Sequence, residues 1–350
     1  MGRVTTATSP APSAGDRFLT LLPGLALAAG IAVVSVIASR LVHGLSALLV
    51  AIVLGALVGN LTSIGGDKTG PLWPGLTVAS RRVLRLGVVL LGLQLALGDV
   101  ISLGWPALLG VIAVVAAGMG VTLLVGRLLG VESRLSLLVA AGFSICGAAA
   151  VAGVDGVLRR REAKDTATAL ALVVLFGTAM IAVMPWLTHL LGLDVRTAAV
   201  WTGASVHEVA QVVAAASGIG PDAVGIAVVV KLTRVLLLAP VLMVVAWRER
   251  RDATDAAQGK RPPLVPLFVA GFIAMVLVRT TGVLPASVIS FASVVQTFLL
   301  ATAMAALGIG VHRSALKAAG ARAVVLATIA TLAVLAVGGA TAAVSHWTAG

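Results

Sequence analysis

Long apolar stretches separated by short polar loops are the main pattern of this chain. Nine of them are long enough, or nearly so, to cross about 30 Å of hydrocarbon as helices. The pattern therefore predicts an all-α polytopic membrane protein. The nine predicted spans are residues 18–39, 44–63, 83–98, 105–129, 165–190, 222–247, 264–279, 286–311 and 323–347.

Two further apolar segments, 135–158 and 197–217, carry glycine, serine and polar residues in their middle. Each is predicted to be re-entrant or discontinuous; the alternative is that both cross fully, which gives eleven spans. Basic residues favour hairpins, because Lys and Arg collect in cytoplasmic loops. With the N-terminus inside, 20 of the 25 Lys and Arg residues then lie inside, three outside (Arg40, Arg196 and Arg279) and two within the membrane (Lys231 and Arg234).

Internal matches suggest an inverted repeat. Residues 142–145 (Gly-Phe-Ser-Ile) align without a gap with residues 203–206 (Gly-Ala-Ser-Val), and in the hairpin topology the two segments enter from opposite sides. Such repeats place a binding site at the midplane between them. A second match aligns Gly92 with Gly308 and Gly104 with Gly320. The two matches imply different repeat units, so we expect at most one of them to define the architecture.

Composition narrows the functional classes. A hydrophobic content of 59% with only 11% charged residues excludes a water-soluble fold. The formal net charge of +12 comes from short basic clusters between apolar stretches, which indicates membrane orientation rather than nucleic-acid binding. The single cysteine, Cys146, excludes an internal disulfide and a cysteine-only metal site. We expect a disordered cytoplasmic tail (1–17), one transmembrane transporter domain (18–350) and a cytoplasmic loop within it (248–262).

The apolar segment 135–158 contains Gly-Phe-Ser-Ile-Cys-Gly at 142–147, which should break a helix and restart it among alanines. A restarting helix presents free N–H groups and a positive dipole end, both suited to an anion. Ser144, Cys146 and Gly147 are therefore candidate substrate-binding residues. The alternative is that these small residues only allow helices to pack closely.

The apolar segment 197–217 contains Ser-Val-His-Glu-Val-Ala-Gln at 205–211. Ser205 is a candidate substrate-binding residue. A helix through this stretch would place His207 and Gln211 on one face, and His207 or Glu208 could carry a proton or cation, with Gln211 beside them. The alternative is a buried structural pair in which Glu208 neutralises a nearby base.

Lys231 and Arg234 lie three residues apart inside the predicted span 222–247, so their head groups should share a face. Two neighbouring cations repel each other unless an anion lies between them. Glu208 can supply one negative charge, which leaves the second cation for a substrate. We predict that both residues bind an anionic solute.

Five stretches of the sequence carry a resemblance to a known family. They are 85–87 (Arg-Leu-Gly), 144–151 (Ser-Ile-Cys-Gly-Ala-Ala-Ala-Val), 206–214 (Val-His-Glu-Val-Ala-Gln-Val-Val-Ala), 303–308 (Ala-Met-Ala-Ala-Leu-Gly) and 314–317 (Ser-Ala-Leu-Lys). These stretches resemble the YeiH-type (UPF0324) membrane proteins, to which sulfate export has been ascribed. The resemblance implies a multi-pass carrier of the bacterial inner membrane, related to the sodium/bile-acid and sodium/proton transporter folds. It implies no established binding residues.

The leading hypothesis is a secondary transporter for a small anion such as sulfate or another sulfur oxyanion, driven by H⁺ or Na⁺ because the chain lacks a Walker A sequence. We expect no enzymatic activity, cofactor or metal, and membrane lipid as surroundings; the sequence is compatible with a homo-oligomer. One alternative is an intramembrane metalloprotease, since His207-Glu208 is followed by Gln211 where a second zinc-binding histidine should stand. The other is a passive anion channel.

Overall fold

The computed structural model describes residues 14–42, 47–65, 69–158, 162–251, 267–310 and 313–349. Within these ranges all regular structure is helical, as predicted. The helices are α1 (Ala14–Leu41), α2 (Ala47–Leu61), α3 (Trp73–Val78), α4 (Leu84–Leu91), α5 (Leu97–Ser102), α6 (Trp105–Leu128), α7 (Ser133–Ala141), α8 (Ala148–Val157), α9 (Ala163–Leu190), α10 (Val195–Ser205), α11 (Val209–Ser217), α12 (Pro221–Leu236), α13 (Leu238–Arg251), α14 (Leu267–Thr280), α15 (Ala286–Gly310) and α16 (Arg313–Ala349).

Six helical stretches of the described residues are long and apolar enough to cross a membrane. They are Phe18–Leu41, Trp105–Leu128, Lys164–Leu190, Pro221–Arg251, Ala286–Gly310 and Gly320–Ser345. Each coincides with a predicted span. The predicted spans 44–63 and 264–279 correspond to the shorter helices α2 and α14, of 15 and 14 residues.

The predicted span 83–98 is wrong at both ends. The helix starts at Trp73, with a proline in its first turn, and runs through a π-helical turn (Ala79–Val83) into α4. It ends before Leu95 and Ala96, which have extended backbone. Because Arg81 and Arg82 are charged, the hydropathy pattern did not predict the first half of this helix.

Small residues set the closest helix contacts. On α2, Gly55 and Gly59 lie against the carbonyl oxygens of Ala305 and Ile309 on α15, and Gly308 of α15 lies against Ile52. This G-x-x-x-G spacing brings two helix backbones together where a larger side chain would separate them. The pairs also show that α2 and α15 run in the same direction.

The long helices α6 and α16 pack antiparallel. Gly110 near the start of α6 lies against Thr341 near the end of α16, and Gly118 lies against Val334. Gly104 and Gly320, each just before the long part of its helix, share a positive φ: φ 84° and ψ 156° for Gly104, φ 72° and ψ 164° for Gly320. The second internal match of the sequence thus aligns two residues with the same rare conformation.

Helices α7 and α8 form a hairpin, called hairpin 1 below (residues 133–157). Arg134 in the first turn of α7 donates to Asp155 near the end of α8, at 2.8 Å between Nη2 and Oδ1. Asp155 also accepts from Thr166 Oγ1 at 2.8 Å, and Arg134 Nε lies 3.4 Å from Asp165 Oδ2. Both ends of hairpin 1 therefore meet at the first turn of α9.

Helices α10 and α11 form hairpin 2 (residues 195–217), which opens at the other end of α9. Helix α10 begins just after α9 ends, and Gly218 after α11 lies against the ring of Pro185 in the last turns of α9. Midway along the same helix, Gly177 lies against the Gln211 amide. The hairpins thus enter the bundle from opposite ends and meet at their tips, as their sequences predicted.

Three predictions concern residues outside the described ranges. They are the N-terminal part of the expected disordered tail, the arginines at 159–161, which belong to the 20 basic residues expected inside, and most of the expected loop at 248–262.

Candidate functional site

The tip of hairpin 1 is a break in the helix at Gly147. Helix α7 continues through a π-helical turn, Gly142–Cys146, and Gly147 then adopts φ 72° and ψ −131° before α8 begins. A side chain is strongly disfavoured at such a φ. The predicted break and restart are confirmed.

The tip of hairpin 2 is a short extended stretch, Val206-His207-Glu208, between α10 and α11. Val206 has φ −68° and ψ 144°, and Glu208 has φ −124° and ψ 149°. The expectation that His207 and Gln211 share one helix face is wrong, because His207 precedes the helix. His207 and Glu208 therefore interrupt the helical segment between α10 and α11 and do not lie on the face of one continuous helix.

Arg234 on α12 is fully buried and clamps both tips through main-chain carbonyls. On hairpin 1, Nη2 donates to Phe143 O at 3.0 Å and Nε donates to Ser144 O at 3.1 Å. On hairpin 2, Nη1 donates to Ala204 O at 2.7 Å and to Val206 O at 3.1 Å. These carbonyls belong to helix ends that carry partial negative charge, so the guanidinium satisfies them electrostatically as well as by hydrogen bonding.

Lys231, one turn before Arg234, is also fully buried. Its Nζ donates to Ile145 O at 2.6 Å and to Val206 O at 2.9 Å, one carbonyl from each hairpin. The predicted common face of the two cations is confirmed. The carbonyl oxygens lie where an anion was expected, so the structure gives these cations a structural task, and their contact with a substrate stays a prediction.

His207 links the two tips to α16. Its Nδ1 lies 3.2 Å from Phe143 O and its Nε2 lies 3.2 Å from Thr331 Oγ1, while its ring centroid is 4.4 Å from that of Phe143. A carbonyl only accepts, so Nδ1 carries the proton. Thr331 Oγ1 lies 3.2 Å from His207 Nε2 and 2.9 Å from Ala327 O, and its single proton can serve only one of these two acceptors. His207 therefore connects hairpin 2 with hairpin 1 and α16.

Glu208 and Cys146 are the predicted site residues that line a cavity. The Glu208 side chain crosses between hairpins, and its Oε1 accepts from Ala148 N, the first amide of α8, at 3.4 Å. The cavity beside it has a volume of about 40 Å³, enough for about one water molecule. Besides these two, it is lined by Leu48, Leu84, Val88, Leu91, Ala149, Val209, Val235, Leu300 and Met304.

Three predicted polar residues point away from this cavity. Ser144 Oγ lies against Gly118 of α6, and Ser205 Oγ lies against Gly338 of α16. Gln211 faces α9 at Gly177. Within the described part of the chain, Ser144 Oγ, Ser205 Oγ and Gln211 Oε1 are buried without a hydrogen-bond partner. The structure thus brings all nine predicted site residues to the tips, but only two of them reach the cavity.

The main-chain partners of the two cations and Thr331 were not predicted from the sequence. The carbonyls of residues 143–145 and 203–206 carry no side-chain signal, although their position at interrupted helix ends could have suggested that a buried cation binds them. Thr331 resembles any other threonine in an apolar helix.

Among the described residues, one group of three carboxylates could share a metal ion, Glu132, Glu162 and Asp165. The group lies at the base of hairpin 1 beside Arg134.

Replacing Gly147 by alanine should destabilise the tip. A Cβ at this position would lie 2.8 Å from Glu208 Cγ, and a residue other than glycine held in such a sparsely populated conformation costs about 1–3 kcal/mol. We expect a lower apparent melting temperature of the purified protein. Gly153→Ala in the same hairpin is the matched control, because its nearest contact is the flexible Leu242 side chain at 3.3 Å. Equal melting of the two variants would contradict this reading of Gly147.

Comparisons with known proteins agree on one family. The family model described as conserved hypothetical protein 698 matches residues 23–327. A UPF0324 membrane protein of Corynebacterium glutamicum is 48% identical over 289 residues, which cover 83% of this chain and 82% of the relative. A UPF0324 membrane protein of Pseudomonas aeruginosa is 40% identical, covering 88% of this chain and 90% of the relative.

The UPF0324 inner membrane protein YeiH of Salmonella typhi is 36% identical over 327 residues, covering 91% of this chain and 92% of the relative. No solved structure matches the chain. The resemblance noted in the sequence is confirmed by these matches. The chain is a membrane protein, and it belongs to the conserved hypothetical protein 698 family of UPF0324 membrane proteins.

Proposed function

We propose that this protein is a secondary transporter for a small oxyanion, coupled to protons. The observation that carries the proposal is the meeting of two opposed hairpins around Arg234, Lys231 and Glu208, all buried, beside a small cavity. Ionisable residues deep in a membrane bundle usually mark a substrate or ion pathway.

Charge balance supplies the coupling. Arg234 is permanently charged, whereas Lys231 and Glu208 can each gain or lose a proton. With Glu208 ionised and Lys231 neutral, the cluster carries no net charge. A monovalent anion entering this buried site then requires one added proton, on Lys231 or on Glu208, since an uncompensated buried charge is strongly unfavourable. Anion and proton would therefore move together.

The helix ends supply an anion-binding surface. The carbonyl ends of α7 and α10 are covered by Arg234 and Lys231. The amide ends of α8 and α11 are left to bind an anion, and Glu208 lies next to both. The first amides of a helix have no hydrogen-bond partner within that helix. An oxyanion would compete with the Glu208 carboxylate at the start of α8.

An inverted repeat supports alternating access. Hairpin 1 with α9 corresponds to hairpin 2 with α12 in the first internal match, and α6 corresponds to α16 in the second. The sequence suggested that only one match could hold. We propose that both belong to one architecture, in which the two halves run in opposite directions around the tips.

The relatives named as inner membrane proteins favour the bacterial inner membrane as the location, with the basic end of the bundle and the N-terminus in the cytoplasm. Helix ends at the base of hairpin 1 carry Arg127 and Arg134, and Arg322 approaches Gly130 there. We propose transport without enzymatic activity or a cofactor.

Transport in liposomes tests the proposal. We expect purified protein to take up labelled sulfate, or another member of a panel of sulfite, sulfonates and dicarboxylates, with saturation and with counterflow. An inward proton gradient should accelerate uptake, and a Na⁺ gradient of equal size serves as comparison. Uptake that rises linearly without counterflow would indicate a channel. No uptake of any member, in liposomes that contain folded protein, would reject the proposal.

A further inference from the structure

A second cavity lies next to the one beside Glu208, which is called the tip cavity below. Its volume is about 220 Å³, and it is enclosed by the π-helical turn before α4, the second half of α8, the first turns of α9 and the end of α15. Arg81 and Arg85 of its lining are exposed, whereas Cys146 and Glu208 of the tip cavity are buried. The second cavity therefore opens at the surface of the bundle.

Three helices pass from one cavity to the other. Each of them contributes a residue to the tip cavity and, at most three positions away, a residue to the second cavity. A helix rises about 1.5 Å per residue, so a partition only about 5 Å thick separates the two cavities. The pairs are Ala149 and Ala152 on α8, Met304 and Ala306 on α15, and Leu84 and Arg85 on α4.

Two large apolar side chains stand at this partition. Leu84 of α4 and Met304 of α15 both line the tip cavity, and they are 2% and 3% exposed. Helix α8 contributes only the small side chain of Ala149 to the same border. A narrow apolar constriction excludes water and ions. Displacement of Leu84 or Met304 would therefore connect the surface of the bundle with Glu208.

The charge of the second cavity favours anions. Among the described residues of its lining, Arg81, Arg85 and Asp155 are charged, and Asp155 is paired with Arg134 at 2.8 Å. The field of an excess of positive charge acts through space and raises the local concentration of anions without direct contact.

We propose that the second cavity is the cytoplasmic vestibule of the solute route, and that Leu84 and Met304 form the gate between this vestibule and the hairpin tips. The inference rests on the proposed transport function and on the proposed orientation, in which the base of hairpin 1 faces the cytoplasm. It adds a route and two gate residues to that function.

Thiol labelling tests the vestibule. The reagent is sulfonatoethyl methanethiosulfonate, an anion that does not cross membranes and reacts with thiolates that contact water. Ala152→Cys should be labelled rapidly in inside-out membrane vesicles, and it should not be labelled when the reagent is added outside intact cells. The unaltered protein, which keeps Cys146, gives the background. Leu175→Cys in the middle of α9 is the control, because Leu175 is 50% exposed and lies outside the cavity lining; it should not exceed this background.

The native Cys146 reports on the gate, because it lines the tip cavity beyond the partition. In inside-out vesicles, Met304→Ala should raise the rate of Cys146 labelling about tenfold, since loss of the large side chain makes local opening easier. Leu300→Ala is the matched control. Leu300 also lines the tip cavity and is buried, but it lies one turn of α15 farther from the vestibule, so its truncation should leave the labelling rate nearly unchanged.

Two results would overturn the proposal. One is a lack of labelling of Ala152→Cys from the cytoplasmic side, and the other is an equal rate at Cys146 in Met304→Ala and Leu300→Ala. The labelling needs no transported solute. The expected labelling without sulfate uptake in liposomes would reject transport and leave an aqueous inlet to the tips. Uptake with equal rates in the two variants would reject the gate and leave transport in place.

Discussion

Arg234→Ala is expected to open the hairpin tips and to lower stability more than any other single change at this site. The variant removes one donor from each of four carbonyls, those of Phe143, Ser144, Ala204 and Val206. His207 still reaches Phe143 O and Lys231 still donates to Val206 O, so the loss falls mainly on Ser144 O and Ala204 O. Each unsatisfied buried acceptor costs about 1–3 kcal/mol, so the total loss should be on the order of 4 kcal/mol. Arg234→Lys should recover part of it, since lysine keeps the charge but lacks the fork.

Cys146 gives a direct measurement of this opening. It is the single cysteine of the chain and is buried at the tip of hairpin 1. A maleimide should label it slowly in the unaltered protein and much faster in Arg234→Ala. Lys231→Met, which removes hydrogen bonds to two carbonyls only, should show a smaller increase. Unchanged labelling and melting of Arg234→Ala would show that the clamp does not hold the tips.

Glu208→Gln is expected to make anion binding insensitive to pH. In the unaltered protein, a bound anion needs an added proton on Lys231 or Glu208, so apparent affinity should increase as pH falls. If one proton accompanies each anion, the increase approaches about tenfold per pH unit. Glutamine removes the negative charge permanently, so the charge of Arg234 alone balances a monovalent anion and no added proton is needed.

The measurement is the affinity for a monovalent sulfonate from pH 5 to pH 8 by thermal shift, since a ligand that binds only the folded protein raises its melting temperature. Asp222→Asn removes an exposed carboxylate from the first turn of α12 and should keep the slope of the unaltered protein. A slope that persists in Glu208→Gln would assign this carboxylate a structural role. A flat profile in the unaltered protein would reject proton coupling itself.

The amino-acid sequence predicts where the site lies, but not how its groups are bonded. Polar and small residues inside apolar stretches are unfavourable in lipid, so the breaks at Gly147 and at His207-Glu208 can be located from the sequence alone. Side chains that bind main-chain carbonyls leave no such trace. From the sequence alone, the head groups of Lys231 and Arg234 are therefore expected to bind substrate. In the structure they donate instead to carbonyl oxygens at helix ends.

Other errors have equally local causes. The side chains of residues 205–211 fit one helix face, which predicts a helix through them, but the half-helix begins only at Val209. Ser144 and Ser205 are predicted to contact substrate because serine donates hydrogen bonds, while the glycines at 118 and 338 leave room for their hydroxyls on the opposite side. Which way a small side chain points depends on the partner helix, and this sequence pattern does not encode it.

The wall that faces the hairpin tips has a mechanical consequence. On the side of α2, α4 and α15 it consists of Leu48, Leu84, Val88, Leu91, Leu300 and Met304, none of which has a hydrogen-bond donor in its side chain. The tips, by contrast, are bound firmly to each other through α12. Displacement of the joined tips along this apolar face would break no hydrogen bond to these six side chains, whichever direction the tips move.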